Sequence, residues 1–379
     1  MKLEQLHWTT QKKWSPANAK LGSDAELVLV FGETSLLKAK TLINEIQTFY
    51  PKALIFGCST SGEIYDDRVF DDTVTSTAIH FERTQVRSAS LKMSSVKNSF
   101  EAGQKLANSL DHKDLSHVLV FSVGINVNGS ELVKGLSQDL PRHVTVTGGL
   151  AGDKDRFKET FVISQKEISN EMIAVVGFYG THIKIGSASL GGWDPFGPER
   201  VVTKAEANVL YELDGKSALR LYKEYLGDHA KELPGSALLF PLSIRTTESN
   251  NLVRTILAVD EEKESLTFAG DIQTGSCVRF MKSNFDRLID GATMAARNIA
   301  SVRKDTPELA LLISCVGRRL VLKQRVDEEV EGVRNIFGNK TVLTGFYSYG
   351  EISPFTPSAK CELHNQTMTI TTFSEADEK

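Results

Sequence analysis

The sequence reads GCSTSGEI at residues 57–64 and GFYSYGEI at residues 345–352, so two distant loops share the pattern G-x-x-[ST]-x-G-E-I. A related stretch, GGLAGD at residues 148–153, has the same glycine–acid ending and is one residue shorter. All three stretches follow an apolar strand, which makes coincidence a weak explanation. We interpret the three loops as the product of an internal duplication.

Each loop ends a unit in which an apolar strand, an amphipathic helix and a second apolar strand follow one another. The units cover residues 27–56, 118–146 and 309–344. Ser35 and Asn128 are the expected N-caps of the first two helices. Because a strand–helix–strand crossover joins parallel neighbours, each unit predicts a parallel strand pair, and the strands after each loop predict antiparallel partners. The fold class is therefore α/β, with repeated strand–helix–strand units forming mixed sheets.

The second half of the chain predicts a further domain that packs against the first. Helical periodicity covers residues 210–226, and a strand-rich span follows at 236–271. Since no low-complexity linker separates the halves, we expect two packed domains. Their predicted bounds, with a C-terminal strand and polar tail as the last segment, are 22–220, 221–357 and 358–379.

The composition is that of an ordinary globular protein, with 41% hydrophobic and 24% charged residues among 379. A net charge of −4 leaves no basic excess for binding nucleic acid. No stretch approaches the roughly 18 apolar residues of a membrane-spanning helix, and the N-terminal residues lack the apolar run of a signal peptide. We therefore expect a cytoplasmic protein with reduced cysteines, no membrane insertion and no nucleic-acid partner.

Familiar catalytic motifs fail at specific positions. The G-K-S core at residues 215–217 has Leu210 where a phosphate-binding loop requires its first glycine. Ser61 occupies the last glycine position of the serine-hydrolase elbow. The glycines at 148–152 are not followed by the helix that a dinucleotide site needs. These classes of enzyme are disfavoured.

Metal and haem chemistry depends on the histidines. Cys361 and His364 form a C-x-x-H pair, but on a strand this three-residue offset points the side chains to opposite faces, which disfavours a shared zinc ion. No C-x-x-C-H sequence is present for covalent haem attachment. Noncovalent haem requires only one axial histidine and an apolar pocket, so it stays possible. His364 stands out because it follows the aromatic loop, although a hydrogen-bonded structural role is equally open.

Two interpretations of the glycine loops stay open. They are either tight turns between packed strands or the lining of ligand pockets at the carboxyl ends of parallel strands. On the second interpretation we predict a ligand pocket in the C-terminal half that is lined by Tyr347, Tyr349, Glu351 and His364. Arg318 is the candidate for contact with an anionic group, because its planar guanidinium can bind a carboxylate through two hydrogen bonds.

The two loop carboxylates permit a different class of function. Glu63, Glu351 and His364 are the candidate acid–base groups of an enzyme. The alternative is that each carboxylate accepts hydrogen bonds from nearby backbone N–H groups. A passive carrier of haem or of a metabolite is a third possibility.

Taken together, several short motifs resemble the FIST family of sensory proteins over nearly the whole chain. The family consists of an N-terminal FIST N domain, here matched to 22–220, and a FIST C domain, here matched to 221–357. The resemblance implies sensing of a small ligand and offers no catalytic residues, so we expect a sensor rather than an enzyme. It rests on residues 57–64, Gly192-Trp193 with Pro195 and Gly197, 211–215, Ser314-Cys315 with Arg318, 345–352, and Cys361 with 363–369.

The chain is similar to stand-alone members of this family, and that similarity implies further properties. Some such members bind haem b and sense nitric oxide, and they act on a histidine kinase or a cyclic-di-GMP enzyme. His364 is then the first candidate for the axial ligand and His182 the second, while Trp193 joins the predicted ligand-binding residues. The alternative within the same class is a sensor of a non-haem small metabolite that resembles an amino acid.

Overall fold

The computed structural model describes residues 1–245, 252–303, 305–354 and 360–375. Strands dominate these residues. In chain order, the strands that precede residue 191 are β1 Lys2–Thr9, β2 Lys13–Ser15, β3 Leu27–Gly32, β4 Leu54–Ser59, β5 Glu63–Tyr65, β6 Arg68–Phe70, β7 Val74–His80, β8 Gln85–Lys92, β9 Leu115–Ser122, β10 Thr145–Leu150, β11 Val162–Ser164, β12 Glu167–Ser169, β13 Met172–Tyr179 and β14 Ile183–Leu190. The later strands are β15 Asp194–Glu206, β16 Val209–Leu213, β17 Lys216–Ser217, β18 Leu242–Arg245, β19 Leu252–Arg254, β20 Ile256–Asp260, β21 Ser265–Phe268, β22 Cys277–Lys282, β23 Leu309–Cys315, β24 Val342–Ser348, β25 Gly350–Pro354, β26 Cys361–His364 and β27 Met368–Glu375.

Five of the α-helices in the described residues begin at a side-chain cap, namely those that start at Thr34, Ser99, Gly129, Ala218 and Phe285. Asn128, as predicted, accepts a hydrogen bond from the backbone N–H of Glu131 at 3.1 Å. The first helix differs from the prediction, because the carboxylate of Glu33, not Ser35, is its cap, and Lys40 at φ 61° breaks it in two. In chain order the α-helices are α1 Thr34–Lys38, α2 Thr41–Phe49, α3 Ser99–Asn108, α4 Gly129–Asp139, α5 Ala218–Leu226, α6 Phe285–Val302, α7 Val316–Leu322 and α8 Val326–Phe337.

Three parallel strand pairs organise the fold, one in each predicted unit. They are β3–β4, β9–β10 and β23–β24. Each pair lies within a mixed sheet: sheet 1 has the order β12-β11-β4-β3-β7-β1-β2, sheet 2 the order β26-β25-β10-β9-β13-β8, and sheet 3 the order β14-β27-β23-β24-β5-β6. The predicted α/β class with mixed sheets is confirmed. So is the prediction that the loops at 57–64 and 345–352 both follow a parallel pair.

The strand after each loop leaves its own sheet and joins the next one. β5 pairs with β24, β11 pairs with β4, and β25 pairs with β10. The register is the same in all three cases, because Ile64, Ile163 and Ile352 lie opposite the glycine that opens a neighbouring loop. This cyclic exchange of strands joins the three sheets into one body.

The three loop glycines are required by close packing of two backbones. A Cβ added to Gly57, Gly148 or Gly345 would lie 1.8 Å from the carbonyl oxygen of the residue opposite it in the parallel partner strand. No side chain fits at that distance. The shared glycine in the sequence repeat therefore marks a contact between strands and not a flexible turn.

Hydrogen bonds connect the three loops in a ring, which we call the three-way ring. The backbone N–H of Ser61 donates to Tyr347 O at 2.8 Å. Gly152 N–H donates to Ser59 O at 2.9 Å, and Tyr349 N–H donates to Leu150 O at 3.1 Å. The donors occupy equivalent positions, four residues after each glycine.

A shared aromatic core packs beneath these loops. The ring centroids of Phe31, Phe121 and Phe346 are 4.8 to 5.6 Å apart. One residue comes from each unit, and all three are fully buried. The duplication therefore supplies one common core and not three separate ones.

The second loop departs from the prediction. Its exchanged strand is reached 15 residues after Gly148, against seven residues after Gly57 and Gly345, so this loop is longer than the other two and not shorter. Asp153 nevertheless keeps an equivalent role, because it is buried and its Oδ2 accepts from the backbone N–H groups of Lys158 and Glu159.

An eight-stranded outer sheet packs beside the three exchanged sheets. It runs in the order β19-β18-β22-β15-β16-β21-β20, with β17 beside β16. The predicted helix at 210–226 is wrong in its first half: Val209–Leu213 is a strand that pairs with β15 and β21, and only Ala218–Leu226 is helical. The predicted domain boundary near residue 220 does not separate the sheets, because sheets 2 and 3 contain strands from both sides of it. The boundary therefore stays a prediction.

Within the described ranges, no helix has the length and apolar character needed to cross a membrane.

Substitution of Gly57 by alanine tests the close packing. We expect Gly57→Ala to lower the free energy of unfolding by at least about 3 kcal/mol, because Val30 O leaves no room for a methyl group. Gly235→Ala is the matched control, since an added Cβ there meets no atom within 4 Å, and its effect should stay within about 0.5 kcal/mol. Chemical denaturation measures both, and equal effects would contradict the packing argument.

Candidate ligand-binding site

A buried polar turn, residues 364–367, joins β26 to β27. Its four residues, His364, Asn365, Gln366 and Thr367, are at most 6% exposed, although all have polar side chains. Gln366 adopts a left-handed backbone conformation, with φ 62°, which reverses the chain direction. Four consecutive polar residues are rarely buried unless their hydrogen bonds are made.

The backbone of this turn is held by hydrogen bonds to residues that are distant in sequence. Cys315 N–H donates to Thr367 O at 3.1 Å, and Trp193 Nε1 donates to Gln366 O at 2.8 Å. Thr367 N–H and Oγ1 donate to Glu351 Oε2 at 3.2 and 3.0 Å. The turn is therefore fixed in position before any ligand binds.

The side chain of Gln366, unlike the backbone of the turn, has polar atoms without hydrogen-bond partners in the described part of the chain. Its amide Nε2 and Oε1 are both buried and have no hydrogen-bond partner among the described residues, and the same holds for Asn365 Oδ1. The Gln366 amide packs against Gly317, where an added Cβ would lie 2.5 Å from Nε2. A buried amide with neither its donor nor its acceptor used costs about 1–3 kcal/mol per group, so this site is poised for a polar partner.

A buried ion pair supports the wall next to Gly317. Arg318 and Glu329 are fully buried, and Arg318 Nη2 donates to Glu329 Oε2 at 2.6 Å. Arg318 also donates to the carbonyl oxygens of Gly191 and Leu288. Tyr347 Oη donates to Glu329 Oε1 at 2.5 Å. Arg318 and Tyr347 thus contact other protein groups, and their predicted contact with a ligand stays a prediction.

Glu351 is the second buried acid at the turn, and Glu63 is its counterpart in the first unit. Glu351 accepts from Ser348 Oγ at 2.6 Å and from Thr367, as described above. Glu63 accepts in the same way from the hydroxyl of Thr60 and from the N–H and hydroxyl of Thr73. Burial raises the pKa of Glu63 to about 7 and that of Glu351 to about 8, against the hydrogen bonds that lower both.

The Cys315 thiol completes this wall. It is buried and receives backbone hydrogen bonds from Gln366 and Gly317, and burial is the largest cause that raises its pKa. A thiol with a raised pKa is a poor nucleophile at neutral pH. Cys315 therefore contributes a small apolar surface beside the Gln366 amide rather than an activated group.

The surroundings of the two predicted haem ligands, His364 and His182, determine whether a porphyrin can lie beside them. His364 Nε2 lies 2.9 Å from Ser353 O, and burial lowers its pKa to about 4. His364 is 1% exposed between packed strands, which leaves no space for a porphyrin against the ring. His182 is half-buried in the turn between β13 and β14, away from the buried polar turn. Two surface grooves of about 460 and 470 Å³ have no histidine among their described lining residues. The surroundings of His364 thus do not fit haem, and the role of His182 stays a prediction.

Tyr349 lies elsewhere, in the three-way ring. Its ring stacks on Phe157 at a centroid distance of 4.5 Å, and Phe157 is 45% exposed. Tyr349 Oη donates to Lys154 O at 3.1 Å. The side chain of Tyr349 thus contacts the residues that follow the second loop.

The structure gathers most of the predicted residues around one turn. His364 is in it, Glu351 and Trp193 are hydrogen-bonded to it, and Arg318 follows the glycine that packs on it. The sequence analysis did not single out Gln366, Gly317 or Glu329. Gln366 lay inside the quoted stretch 363–369, but nothing in the sequence distinguished its side chain.

The chemistry available at the turn is polar recognition. The Gln366 amide offers one donor and one acceptor, and Asn365 offers an acceptor. Among the described residues, no group of three or more histidine, cysteine, aspartate or glutamate side chains is placed to hold a metal ion. The unpaired amide atoms are groups that can hydrogen-bond complementary donors and acceptors.

The fold and the turn define an α/β protein of two sequence domains. A FIST N domain matches residues 26–216, and a FIST C domain matches residues 218–354. The chain belongs to the FIST family, whose domains sense small ligands.

Two relatives of this chain are uncharacterized proteins. The chain is 25% identical over 354 residues to an uncharacterized protein of Methanocaldococcus jannaschii, covering 85% of this chain and 65% of that protein. It is 23% identical over 231 residues to an uncharacterized protein of Mycobacterium tuberculosis, covering 59% of each. The chain thus spans less than two thirds of the length of either relative.

Among solved structures, a cyanuric acid hydrolase from A. caulinodans aligns over 100% of this chain and 99% of its own, with 6% identity and a TM-score of 0.37. A likeness this weak carries no conclusion about activity.

The buried carboxyls predict a particular dependence of stability on pH. An unfolded glutamate loses its proton near pH 4.5, whereas Glu63 and Glu351 hold theirs to about pH 7 and 8. The folded state therefore binds more protons in this window, and the free energy of unfolding falls as pH rises through it. In a Glu63→Gln/Glu351→Gln double variant, the fall in the free energy of unfolding between pH 6.5 and 8 should be smaller by about 1–2 kcal/mol.

The window must begin at pH 6.5, because the buried histidines act in the opposite direction below it. Burial lowers the pKa of His117 to about 3 and that of His364 to about 4, so their effect is a loss of stability as pH falls below 6.5. Glu101→Gln is the control: hydrogen bonds lower the pKa of this exposed acid, so it does not titrate in the window. Parallel pH profiles for the double variant and wild type would exclude the two carboxyls as the cause.

Proposed function

We propose that this protein senses a small, polar, non-haem metabolite that binds at the buried polar turn. The observation that carries the proposal is the Gln366 amide, whose Nε2 and Oε1 are buried without partners in the described structure. The FIST family supports the class of function, since its domains sense small ligands. An amino-acid-like ligand fits best, because it presents both donors and acceptors to an amide.

The position of the turn offers a way to transmit binding. The turn contacts α7 through Gly317 and contacts Trp193, which directly precedes β15 of the outer sheet. A ligand that hydrogen-bonds Gln366 would join three parts of the molecule: the exchanged sheets, α7 and the segment that leads into the outer sheet. Trp193 is 8% exposed, so this segment must move for a ligand to enter.

The response then passes to another protein. We propose that the chain is not itself an enzyme and that it acts in the cytoplasm on a histidine kinase or a cyclic-di-GMP enzyme, as the similarity to stand-alone FIST proteins implies. The hydrogen bonds of Glu63 and Glu351 support the first part, because each acid accepts from hydroxyl and backbone N–H groups and neither faces an open cleft.

Gln366→Leu tests the site against a panel of the twenty protein amino acids. We expect at least one amino acid to raise the midpoint of thermal unfolding of wild type by a few degrees and to leave Gln366→Leu unchanged. Without ligand, Gln366→Leu should be more stable than wild type by about 1–2 kcal/mol, because it removes unsatisfied polar groups.

Gln47→Leu is the control and should keep the response of wild type, because Gln47 is half-buried on α2 and its amide already donates to Gln165 O at 3.3 Å. If Gln366→Leu is stabilised by the same amino acids as wild type, the ligand binds elsewhere. If it is markedly less stable without ligand, the amide has a structural partner and the proposal loses its basis.

The haem alternative has a direct spectroscopic test. Because the buried ring of His364, the first candidate for the axial ligand, has no room for a porphyrin, we expect protein reconstituted with haem to show no Soret band beyond that of free haem. A shifted Soret band in wild type that is lost in His364→Ala, with an unchanged circular dichroism spectrum, would instead establish haem binding.

A further inference from the structure

We infer that Arg254 forms a second binding site, separate from the buried polar turn, for a small oxyanion of the carboxylate or phosphate type. Arg254 is the last residue of β19, at the edge of the outer sheet, and is 4% exposed. It lies where this sheet meets β26 of sheet 2, because its Nη1 donates to Leu363 O at 2.8 Å.

The guanidinium is buried without an ion pair. Among the described residues, no carboxylate oxygen lies within 4.0 Å of its nitrogens, and its Nε has no hydrogen-bond acceptor. Arg318, the other deeply buried arginine, shows the usual arrangement, with Glu329 at 2.6 Å and two carbonyl acceptors. Arg254 has the burial of a structural arginine without its counter-charge.

The acids nearest to Arg254 do not supply that counter-charge at contact distance. Asp271 and Glu362 act on Arg254 only through longer-range attraction. Asp271 instead accepts from Asn128 Nδ2 at 3.0 Å and lies 3.6 Å from Lys134 Nζ. Burial is the dominant influence on Arg254 and lowers its pKa to about 10.

One edge of the guanidinium is left without a hydrogen-bond acceptor, because Nε is buried and unpartnered among the described residues. Gly270 packs against this edge, and a Cβ added there would lie 2.8 Å from Nε. A side chain at this position would collide with the guanidinium, and an oxyanion reaches Nε only when the Gly270 segment moves away from it. Nε and its neighbouring N–H group form the planar fork that binds a carboxylate or phosphate through two hydrogen bonds.

This inference does not depend on the proposed function. Arg254 contacts Leu363, the residue before the turn, whereas the Gln366 amide packs on Gly317 of α7. A ligand at one site need not contact the other. The two proposals can therefore fail separately.

Thermal unfolding in the presence of defined anions tests the site. Wild type would be heated with sodium acetate, succinate, phosphate or sulfate, each compared with sodium chloride at equal ionic strength. We expect one class, carboxylate or phosphate, to raise the unfolding midpoint by about 3 °C or more at a concentration well above its dissociation constant. The response identifies which source of oxyanion the site takes.

Three variants separate the outcomes. Arg254→Met should lose the anion response, and without anion it should unfold at the same or a higher temperature than wild type, since it removes an unpaired buried charge. Arg254→Lys keeps the charge without the fork and should need at least about tenfold more anion. Arg245→Met, which removes an exposed arginine of β18 that is paired with Glu199 of β15, should respond like wild type.

The inference is overturned if no anion stabilises wild type beyond chloride, or if Arg254→Lys responds at the same concentration as wild type. Should Arg254→Met fail to fold, Arg254→Lys still decides the question. Retention of the anion response in Gln366→Leu would support a separate site, and its loss there would merge this site with the buried polar turn and overturn the claim that the two are distinct.

Discussion

The contact on which the whole architecture depends is that between each loop glycine and the carbonyl of the strand beside it. At Gly57, Gly148 and Gly345 two backbones approach so closely that a methyl group would lie 1.8 Å from the facing oxygen. Directly after this contact each chain leaves its own sheet, and the three-way ring of Ser61, Gly152 and Tyr349 connects the loops. The three sheets consequently share one aromatic core and are stable only together.

The same exchange builds the candidate site. Because β25 moves to sheet 2, Glu351 lies opposite His364 and accepts hydrogen bonds from Thr367. The turn is then enclosed by residues distant in sequence, namely Cys315, Gly317 and Trp193. Such a site can be rigid and still sense a ligand, since its backbone is held on every side while the Gln366 amide is left unpaired.

Local features were predictable from the sequence, and features that depend on distant partners were not. The strand–helix–strand units and the repeated loops follow from hydrophobic periodicity and motif spacing. The exchange of strands between sheets has no local signal, and β16 was mistaken for helix because the three-residue spacing of Leu210 and Leu213 is that of one helix face. The partner of Arg318, Glu329 eleven residues later, had no signal in the sequence, and the predicted contact of Arg318 with an anion stays a prediction. Gln366 escaped notice because a missing partner is visible only in the folded chain.

The central claim, that the Gln366 amide is the recognition group, is most directly tested by NMR of its side-chain NH₂ signals in protein labelled with ¹⁵N at glutamine. The signals would be assigned by their absence in Gln366→Leu and followed while the stabilising amino acid is added. A change in the Gln366 signals, with those of Gln47 on α2 unchanged, is the predicted result. Unchanged Gln366 signals at saturation, with shifts elsewhere, would contradict the account.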